Sequence, residues 1–382
     1  MVKNPFEFGT VVSDENFTDR KNDLAELVED LSAKTNIILF SPRRYGKTSL
    51  IFQVMKKLQK KDIVCVYVDL YPATSKTKLA NIITNAIAQA NAGKLDEIVQ
   101  TICDLIPPVK LTLRPEAISE VNNIGVELEL SKGKEDIDTN LIKLYDLPEI
   151  IAKKKKKRLV VIFDEFQEIT KLDGKEIEKN IRTKIQHHKN VSYVFMGSQI
   201  HLLSQMFNDK DSALYRSGKP FNLSKIPKND FSSFIKDKFK IDKIQVSEKN
   251  IDIILQTTDC HPYYTQQLCH EVWYCCKTRG TKIVKDSDIS NAIDQVIKNQ
   301  NYAYTTLWDS LKEKQRILLS SMISLENEKI FSASFRDKCG LSAPSTVARA
   351  ADALEKKGLI EKKDNNYFIS DTFFKEWLKR MF

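Results

Sequence analysis

An apolar run that ends in two acids constrains this 382-residue chain more than any other feature. Residues 159–163 read Leu-Val-Val-Ile-Phe, and Asp164 and Glu165 follow directly. A short, continuous apolar run is typical of a strand that is buried on both faces. Similar runs occur at residues 35–40, 63–68 and 192–196, with helical spacing between them. The sequence therefore predicts an α/β fold, a mainly parallel sheet covered by helices on both faces.

The two acids occupy the position where such a sheet binds its ligands. In an open parallel sheet, the carboxyl ends of the strands border the ligand crevice. A carboxylate at this place is suited to hold Mg²⁺, and a second one is suited to polarise an attacking water. We predict that Asp164 is a metal ligand and that Glu165 is catalytic.

A phosphate-binding loop is predicted between the first strand and the following helix. Residues 41–48 read Ser-Pro-Arg-Arg-Tyr-Gly-Lys-Thr, which matches the pattern G-x-x-x-x-G-K-[ST] except that serine replaces the first glycine. Lys47 is expected to neutralise β/γ-phosphate charge and Thr48 to ligate Mg²⁺, while the loop amides cradle the phosphates of ATP. The positions assigned to nucleotide are Ser41, Pro42, Arg43, Arg44, Tyr45, Gly46, Lys47, Thr48 and Ser49.

Another strand end carries polar residues that belong to the same edge of the sheet. Residues 192–196 are followed by Gly197, Ser198 and Gln199. Ser198 or Gln199 is placed to sense the γ-phosphate or to position water. Alternatively, Ser198 caps the next helix.

Alternating residues at 109–113 and 126–130 predict a β-hairpin insertion at about 106–131, which covers the nucleotide or contacts a partner.

From residue 230 the chain becomes helical, and a helix–turn–helix pattern with two short alternating strands follows residue 302. We predict a P-loop core at 1–229, a helical lid at 230–300 and a winged helix at 301–382.

The lysine-rich block 153–158 supplies much of the net charge of +9. A solvated loop is the preferred interpretation over a nucleic-acid patch, because no aromatic residues interrupt it. The absence of a 20-residue apolar run and of a secretory leader predicts a cytoplasmic protein without a membrane partner. Seven cysteines without a C-x-x-C pair favour reduced, buried thiols over disulfides or zinc.

Together these motifs resemble the archaeal and bacterial P-loop ATPases of the AAA+/STAND type. The resemblance rests on the 41–48 loop, Asp164-Glu165-Phe166-Gln167, Gly197-Ser198, the Leu-Tyr-Arg of 214–216, and the His-Pro-Tyr-Tyr of 261–264. It implies an AAA-like core, a helical lid and a carboxyl-terminal winged helix.

The resemblance also implies roles for residues outside the two main motifs. Phe6, Phe17 and Arg20 are expected near the adenine, and Pro262 in a lid motif that contacts nucleotide. Cys260 and His261 stand where a glycine often precedes that proline. Arg216 matches an arginine that stabilises γ-phosphate charge in cis or from another subunit; a surface salt bridge is the alternative.

The partner of the winged helix is left open by its sequence. Residues 300–382 contain 14 basic and 11 acidic residues, and this net charge of +3 is modest for a nucleic-acid binder. Its recognition helix has Val347, Ala350, Ala351 and Leu354 on one side and Ser345, Arg349, Asp352 and Lys356 on the other. The winged helix contacts DNA, or it has a protein-facing or intramolecular role. A protein client and a second copy of the chain are further candidate partners of the protein.

Three functions are consistent with the sequence. The first is a Mg²⁺-dependent ATPase whose turnover repositions the lid and winged helix. The second is a nucleotide-binding scaffold with little turnover, and the third is an ATP-responsive DNA-binding regulator. The intact Lys47, Thr48, Asp164 and Glu165 favour the first.

Overall fold

The computed structural model describes residues 3–10, 17, 20–90, 95–105, 109–115, 124–130, 137–326, 328–363 and 366–382. These residues form two compact units. The sheet unit is Arg20–Ser224, and the helical unit combines Met1–Asp19 with Lys225–Phe382. Each unit has a hydrophobic core of its own.

The sheet unit contains a five-stranded parallel sheet, which confirms the predicted fold class. Its strands follow the order β2-β5-β6-β1-β7, so β6 lies between β1 and β5. The strands of this unit are β1 (Ile37–Phe40), β2 (Val64–Asp69), β3 (Val109–Pro115), β4 (Ile124–Leu130), β5 (Leu159–Asp164), β6 (Val191–Gly197) and β7 (Lys219–Asn222).

Among its described residues, the same unit contains seven helices. They are α1 (Lys21–Ser32), α2 (Lys47–Gln59), α3 (Lys76–Gln89), α4 (Leu95–Leu105), α5 (Ile137–Lys155), α6 (Gly174–Ile185) and α7 (Ile200–Asn208), with a 3₁₀ helix at Phe166–Leu172. Every residue of β1, β5 and β6 is buried, as expected for strands covered on both faces. Burial of this apolar surface is the main source of stability for the sheet.

The edge strand β7 was not predicted, because its sequence Lys-Pro-Phe-Asn contains no apolar run. Only Phe221 of this strand is buried. Pro220 is compatible with this place because an edge strand has one side that needs no ladder hydrogen bonds.

The lysine-rich block corrects a second prediction. Lys153, Lys154 and Lys155 form the last turn of α5 rather than a loop. Basic side chains are favoured there by the negative end of the helix dipole. Lys156 then takes a left-handed backbone (φ 52°), and the chain enters β5 at Leu159.

The two alternating segments pair antiparallel, with Val109 opposite Leu130 and Pro115 opposite Ile124. The rest of the predicted insertion, at 106–108, 116–123 and 131, lies outside the described residues.

The helical unit contains the helices predicted for the lid and the winged helix, with one difference. A single helix spans Asp286–Asp309, across the boundary predicted at residue 300, and the next helix begins at Glu313. Asn299–Tyr302 contains no glycine or proline, so nothing local stops this helix. The elements are α8 (Lys228–Ile241), α9 (Glu248–Thr257), α10 (Pro262–Thr278), α11 (Asp286–Asp309), α12 (Glu313–Ser324), α13 (Ala333–Cys339), α14 (Pro344–Lys356), β8 (Ile360–Lys363), β9 (Asn366–Ile369) and α15 (Thr372–Met381).

Helices α12 to α14 and the antiparallel pair β8–β9 form the predicted winged helix. The buried side of α14 consists of the four predicted residues, Val347, Ala350, Ala351 and Leu354. The terminal helix α15 adds Phe373, Phe374, Trp377 and Leu378 to the same core.

All seven cysteines are free. Burial raises the pKa of the Cys65 thiol to about 12 and that of Cys269 well above its ordinary value. Over the described ranges, His, Cys, Asp and Glu side chains form no cluster of three or more that is arranged to hold a metal ion. Nor does any helix within those ranges have the length and apolar character needed to cross a membrane.

Candidate functional site

The carboxyl ends of four parallel strands bring the two predicted motifs together. Phe40 at the end of β1 pairs with Gly197 at the end of β6, and Asp69 at the end of β2 pairs with Asp164 at the end of β5. The loop that follows β1 and the acids that end β5 therefore lie on one edge of the sheet. Ser198, next after β6, lies between them in strand order.

The loop 41–46 turns sharply into α2. Arg44 and Gly46 both have left-handed backbones, with φ of 65° and 82°. Gly46 is the N-cap residue of α2 and, as a glycine, has no side chain that could cap the amides at this helix start. Ser41, in place of the first glycine of the pattern, is fully buried, and its hydroxyl donates to the Pro42 carbonyl at 3.1 Å. The loop thus leaves a helix amino terminus suited to an anion.

Lys47 joins the two motifs through its ammonium. Its Nζ lies 2.8 Å from Asp164 Oδ1 and 3.1 Å from Glu165 Oε1. The Thr48 hydroxyl is 3.5 Å from Asp164 Oδ2. Lys47 and Asp164 are each less than one-tenth exposed, so these charges interact in a partly desolvated environment.

Glu165 is held in an unusual conformation by several donors. Its backbone is left-handed (φ 48°), which costs conformational energy for a residue other than glycine. Gln167 Nε2 donates to its Oε2 at 2.5 Å, and Ser198 donates to the same oxygen from Oγ at 2.9 Å and from its amide at 3.3 Å. Burial by itself raises the pKa of Glu165. The charge of Lys47 and these hydrogen bonds lower the pKa by more than burial raises it, so the net pKa is below its ordinary value. The carboxylate is therefore charged near neutral pH.

Ser198 is a hydrogen-bond donor to Glu165 rather than a helix cap. The N-cap residue of α7 is Gln199, which makes no side-chain cap bond. The helix-cap alternative for Ser198 is therefore wrong. Arg43 Nε also lies 3.4 Å from Ser198 Oγ, which brings an exposed loop arginine to the same place.

Tyr67 was missed by the sequence analysis. Its hydroxyl donates to Asp164 Oδ2 at 2.6 Å, and its ring packs 5.1 Å from that of Phe52. Burial, together with the nearby acids, raises the pKa of Tyr67 above its ordinary range, so it remains a donor. The alternation of side chains along β2 could have placed Tyr67 at the site, since Tyr67 and Asp69 lie on the same face of that strand. The pKa of Asp69 is raised by burial and by the charges of Asp164 and Glu165.

Arg20 lies against the phosphate loop through its backbone. The buried guanidinium donates to the carbonyls of Tyr45 and Ser224, both at 3.0 Å, and pairs with Asp23 at 3.0 Å. These hydrogen bonds thus go to the main chain of the phosphate loop, to the main chain at Ser224 and to one acid. Arg216 is exposed, and its guanidinium lies 5.1 Å from the centre of the Tyr215 ring.

The remaining predicted residues belong to the helical unit. Phe6 is buried in that unit's core, 4.8 Å from the ring of Phe239, and Phe17 is half-buried. Pro262 is the first residue of α10. Cys260, which occupies the expected glycine position, has a left-handed backbone with φ of 51°.

The donor set of the site fits the nucleotide and the metal ion that the motifs imply. Thr48 and Asp164 offer a hydroxyl and a carboxylate oxygen 3.5 Å apart, and oxygen ligands are those that Mg²⁺ prefers. Lys47 and the start of α2 supply the positive charge that phosphate groups need. The Lys47 ammonium lies 2.8 Å from Asp164 and 3.1 Å from Glu165, so these charges neutralise each other. Such pairing is expected of a site in which the cation binds phosphate and an acid binds the metal ion.

Comparisons with known families identify both parts of the chain. A family described as an ATPase domain predominantly from Archaea matches residues 17–268. A second family, described as a "probable winged helix domain", matches residues 302–380.

Several solved structures are similar over nearly their whole length. The Walker-type ATPase PABY2304 of Pyrococcus abyssi is 16% identical, with a TM-score of 0.64 over 98% of this chain and 99% of that one. The ORC2 protein of Aeropyrum pernix in its ADPNP–ADP complexes is 14% identical, with a TM-score of 0.58 over 96% and 95%. Cdc6p from Pyrobaculum aerophilum is 14% identical, with a TM-score of 0.51 over 100% and 98%. At these identities the likeness shows the fold. A search of curated proteins found no match.

Proposed function

The chain belongs to the family of ATPase domains found predominantly in Archaea, and from this we propose that it binds ATP with Mg²⁺ and hydrolyses it to ADP and phosphate. The observation that carries the proposal is the position of Lys47, 2.8 Å from Asp164 and 3.1 Å from Glu165 at the carboxyl edge of the parallel sheet. This grouping supports roles for Lys47 as the phosphate-binding cation, Asp164 as a metal ligand and Glu165 as the general base.

Each residue of this group has a separate role in the proposal. Lys47 and the amides of residues 41–49 bind the phosphates, while Thr48 and Asp164 hold Mg²⁺. When bound, the metal neutralises charge on the phosphate oxygens and orients them for in-line attack. Glu165, charged at neutral pH, accepts a hydrogen bond from the attacking water and then its proton.

Other residues act around this centre. Ser198 holds Glu165 and lies beside the γ-phosphate, and Arg216 stabilises the charge that develops there, from its own chain or from a second copy. Phe17 and Pro262 contact the nucleotide in this proposal. These assignments are supported by the motif resemblance and by the hydrogen bonds of Ser198 described above.

We further propose that nucleotide turnover repositions the lid and the winged helix. The chain passes between the two units at Asp19–Arg20 and at Ser224–Lys225. Arg20 lies at the first passage, and its guanidinium binds the carbonyl of Ser224 at the second as well as that of Tyr45 in the phosphate loop. A change in the loop on ATP binding therefore acts on both connections through one buried side chain.

Phosphate release by wild type and by Glu165→Gln tests the proposed reaction. Wild type should release phosphate from ATP only when Mg²⁺ is present. The variant should bind an ATP analogue normally and turn over at least about 100-fold more slowly, because the general base is lost. Glu176→Gln is the matched control, since Glu176 is an exposed acid on α6 whose side chain pairs with Lys76 at 3.3 Å. Absence of Mg²⁺-dependent release in wild type refutes the reaction and leaves the scaffold function.

DNA binding by the winged helix is a second candidate, favoured by one ion pair. Asp352, the acid on the outer side of α14, lies 2.9 Å from Lys356 and is thereby partly neutralised. Arg349 is exposed on the same side. Duplex DNA should then bind with an affinity that falls steeply with salt and that Arg349→Ala weakens. If wild type and Arg349→Ala bind DNA equally at every salt concentration, α14 is not the DNA-binding helix.

A further inference from the structure

Gln167, two residues beyond Glu165, has a side chain that the proposed reaction does not yet use. It lies in the 3₁₀ helix after β5 and is 1% exposed. Its Nε2 is 2.5 Å from Glu165 Oε2. The reverse orientation of the amide would bring its oxygen against a carboxylate oxygen at this distance, so the network fixes the nitrogen as the donor.

The other end of this amide lies against β6. Gln167 Oε1 is buried, with no hydrogen-bond partner among the described residues, an arrangement that costs stability. A Cβ atom added to Gly197 would be 2.0 Å from this oxygen and 3.1 Å from Gln167 Cδ. Gly197 thus provides the space that the amide occupies. A buried polar atom left without a partner calls for an explanation, and the bond from Nε2 to Glu165 supplies one.

The two oxygens of Glu165 have different environments. Oε2 accepts from Gln167 and twice from Ser198, whereas Oε1 faces the ammonium of Lys47 at 3.1 Å. The donors around Oε2 come from the protein scaffold next to β5 and β6. Oε1 is the oxygen on the side of the phosphate loop.

We propose that Gln167 is a positioning residue that anchors Glu165 through Oε2 and presents Oε1 to the water that attacks the γ-phosphate, with Gly197 leaving room for its side chain. This assignment rests on the proposed ATPase function. It follows that a shift of Lys47 toward bound phosphates uncovers Oε1 while Oε2 stays anchored. The base is then free only when the phosphates are in place.

Gln167→Met is the decisive variant because methionine has nearly the shape of glutamine but cannot donate. We expect kcat for ATP hydrolysis to fall about 10- to 100-fold, since a small displacement of a catalytic group has effects of this size. The dissociation constant of an ATP analogue should stay within about twofold of wild type, because no phosphate contact is lost. The melting temperature should change little, because the substitution removes the unpaired oxygen together with the hydrogen bond from Nε2 to Glu165.

A second pair of substitutions tests the role of Gly197 without relying on turnover. Gly197→Ala alone should lower the melting temperature, because the new methyl group displaces Gln167. In the Gln167→Ala background the same change should cost much less, because the new methyl group then meets only the Leu203 side chain, with Cδ1 at 3.1 Å. If the effects of the two substitutions simply add, Gly197 does not act through Gln167 and the proposal fails in this part.

The outcomes separate this inference from the proposed function. The control is Gln186→Met, at an exposed glutamine, which should leave kcat unchanged. If wild type hydrolyses ATP and Gln167→Met does so equally fast, the positioning role of Gln167 is overturned while the proposed ATPase function stands. The same holds if weaker binding of the ATP analogue accounts for the whole loss of activity in Gln167→Met. A wild-type protein that never releases phosphate overturns the reaction and the positioning role together.

Discussion

Replacement of Lys47 by methionine should destabilise the nucleotide-free protein as well as prevent ATP binding. The substitution keeps the length of the side chain and removes its charge. Asp164 and Glu165 then lie next to each other without their shared cation. Their side chains are only 8% and 23% exposed, so water replaces little of the lost interaction.

The size of the effect follows from the distances. At 3.1 Å, with an effective dielectric constant of about 20, Coulomb's law gives about 5 kcal/mol for the pair of Lys47 and Glu165. The desolvation that Lys47 undergoes on folding is avoided in the variant, which offsets part of this energy. Loss of one partner from a buried pair costs about 3–5 kcal/mol, and the partial exposure of Glu165 puts the expected loss near the lower end of that range.

Urea unfolding in EDTA measures this loss, with far-UV circular dichroism for the whole chain and tryptophan fluorescence for the helical unit. The three tryptophans, Trp273, Trp308 and Trp377, all lie in the helical unit. A cycle with Glu165→Gln isolates the pair, because the penalty of Lys47→Met should shrink when one acid is already neutral. A loss below about 0.5 kcal/mol would be within the range of exposed surface pairs and would refute a desolvated charge cluster at this site.

Two further predictions concern carboxylates in the sheet unit. Burial alone raises the pKa of Glu149, but hydrogen bonds from Asn190 and Lys189 lower it further, so the net pKa is depressed. The charged Glu149 should stabilise the fold by about 1–2 kcal/mol. This stabilisation should be complete above the ordinary glutamate pKa and should be lost as the pH falls through the depressed pKa. The difference in unfolding free energy between wild type and Glu149→Gln, measured from pH 7 to pH 3, should therefore shrink only at the acidic end. Tyr67→Phe should raise the Mg²⁺ concentration needed for half-maximal phosphate release about 10-fold, because Asp164 loses a 2.6 Å hydrogen bond that orients it, and an unchanged Mg²⁺ titration would contradict this.

The sequence was informative where burial leaves few alternatives. β1, β5 and β6 are buried along their whole length, so each had to be an apolar run, and each could be identified from composition alone. Their common direction then places every carboxyl end on one edge of the sheet. For this reason, Thr48 could be expected near Asp164 although the two residues are 116 positions apart in the sequence.

Contacts that depend on side-chain direction were less accessible. Tyr67 and Gln167 touch the two acids, yet each lies in a segment where an aromatic or an amide has ordinary structural uses. Their function depends on the relative position of β2, β5 and β6, and no single segment contains that information. The edge strand β7 was missed for a related reason, since its pairing with β1 is made by backbone groups rather than by an apolar pattern.

The charge arrangement couples the binding of ATP to the binding of the metal ion. Lys47 cannot hold the phosphates and both acids at full strength, so ATP that arrives without a metal ion leaves Asp164 and Glu165 underneutralised. A divalent cation held by Thr48 and Asp164, as proposed, would restore the balance, and each ligand should therefore strengthen the binding of the other by the same factor. Glu165 does not bind the metal in this scheme, because Gln167 and Ser198 already hold its Oε2. In the proposed reaction the two neighbouring acids would therefore have different roles: Asp164 would balance the charge of the metal ion, and Glu165 would keep an oxygen for the attacking water.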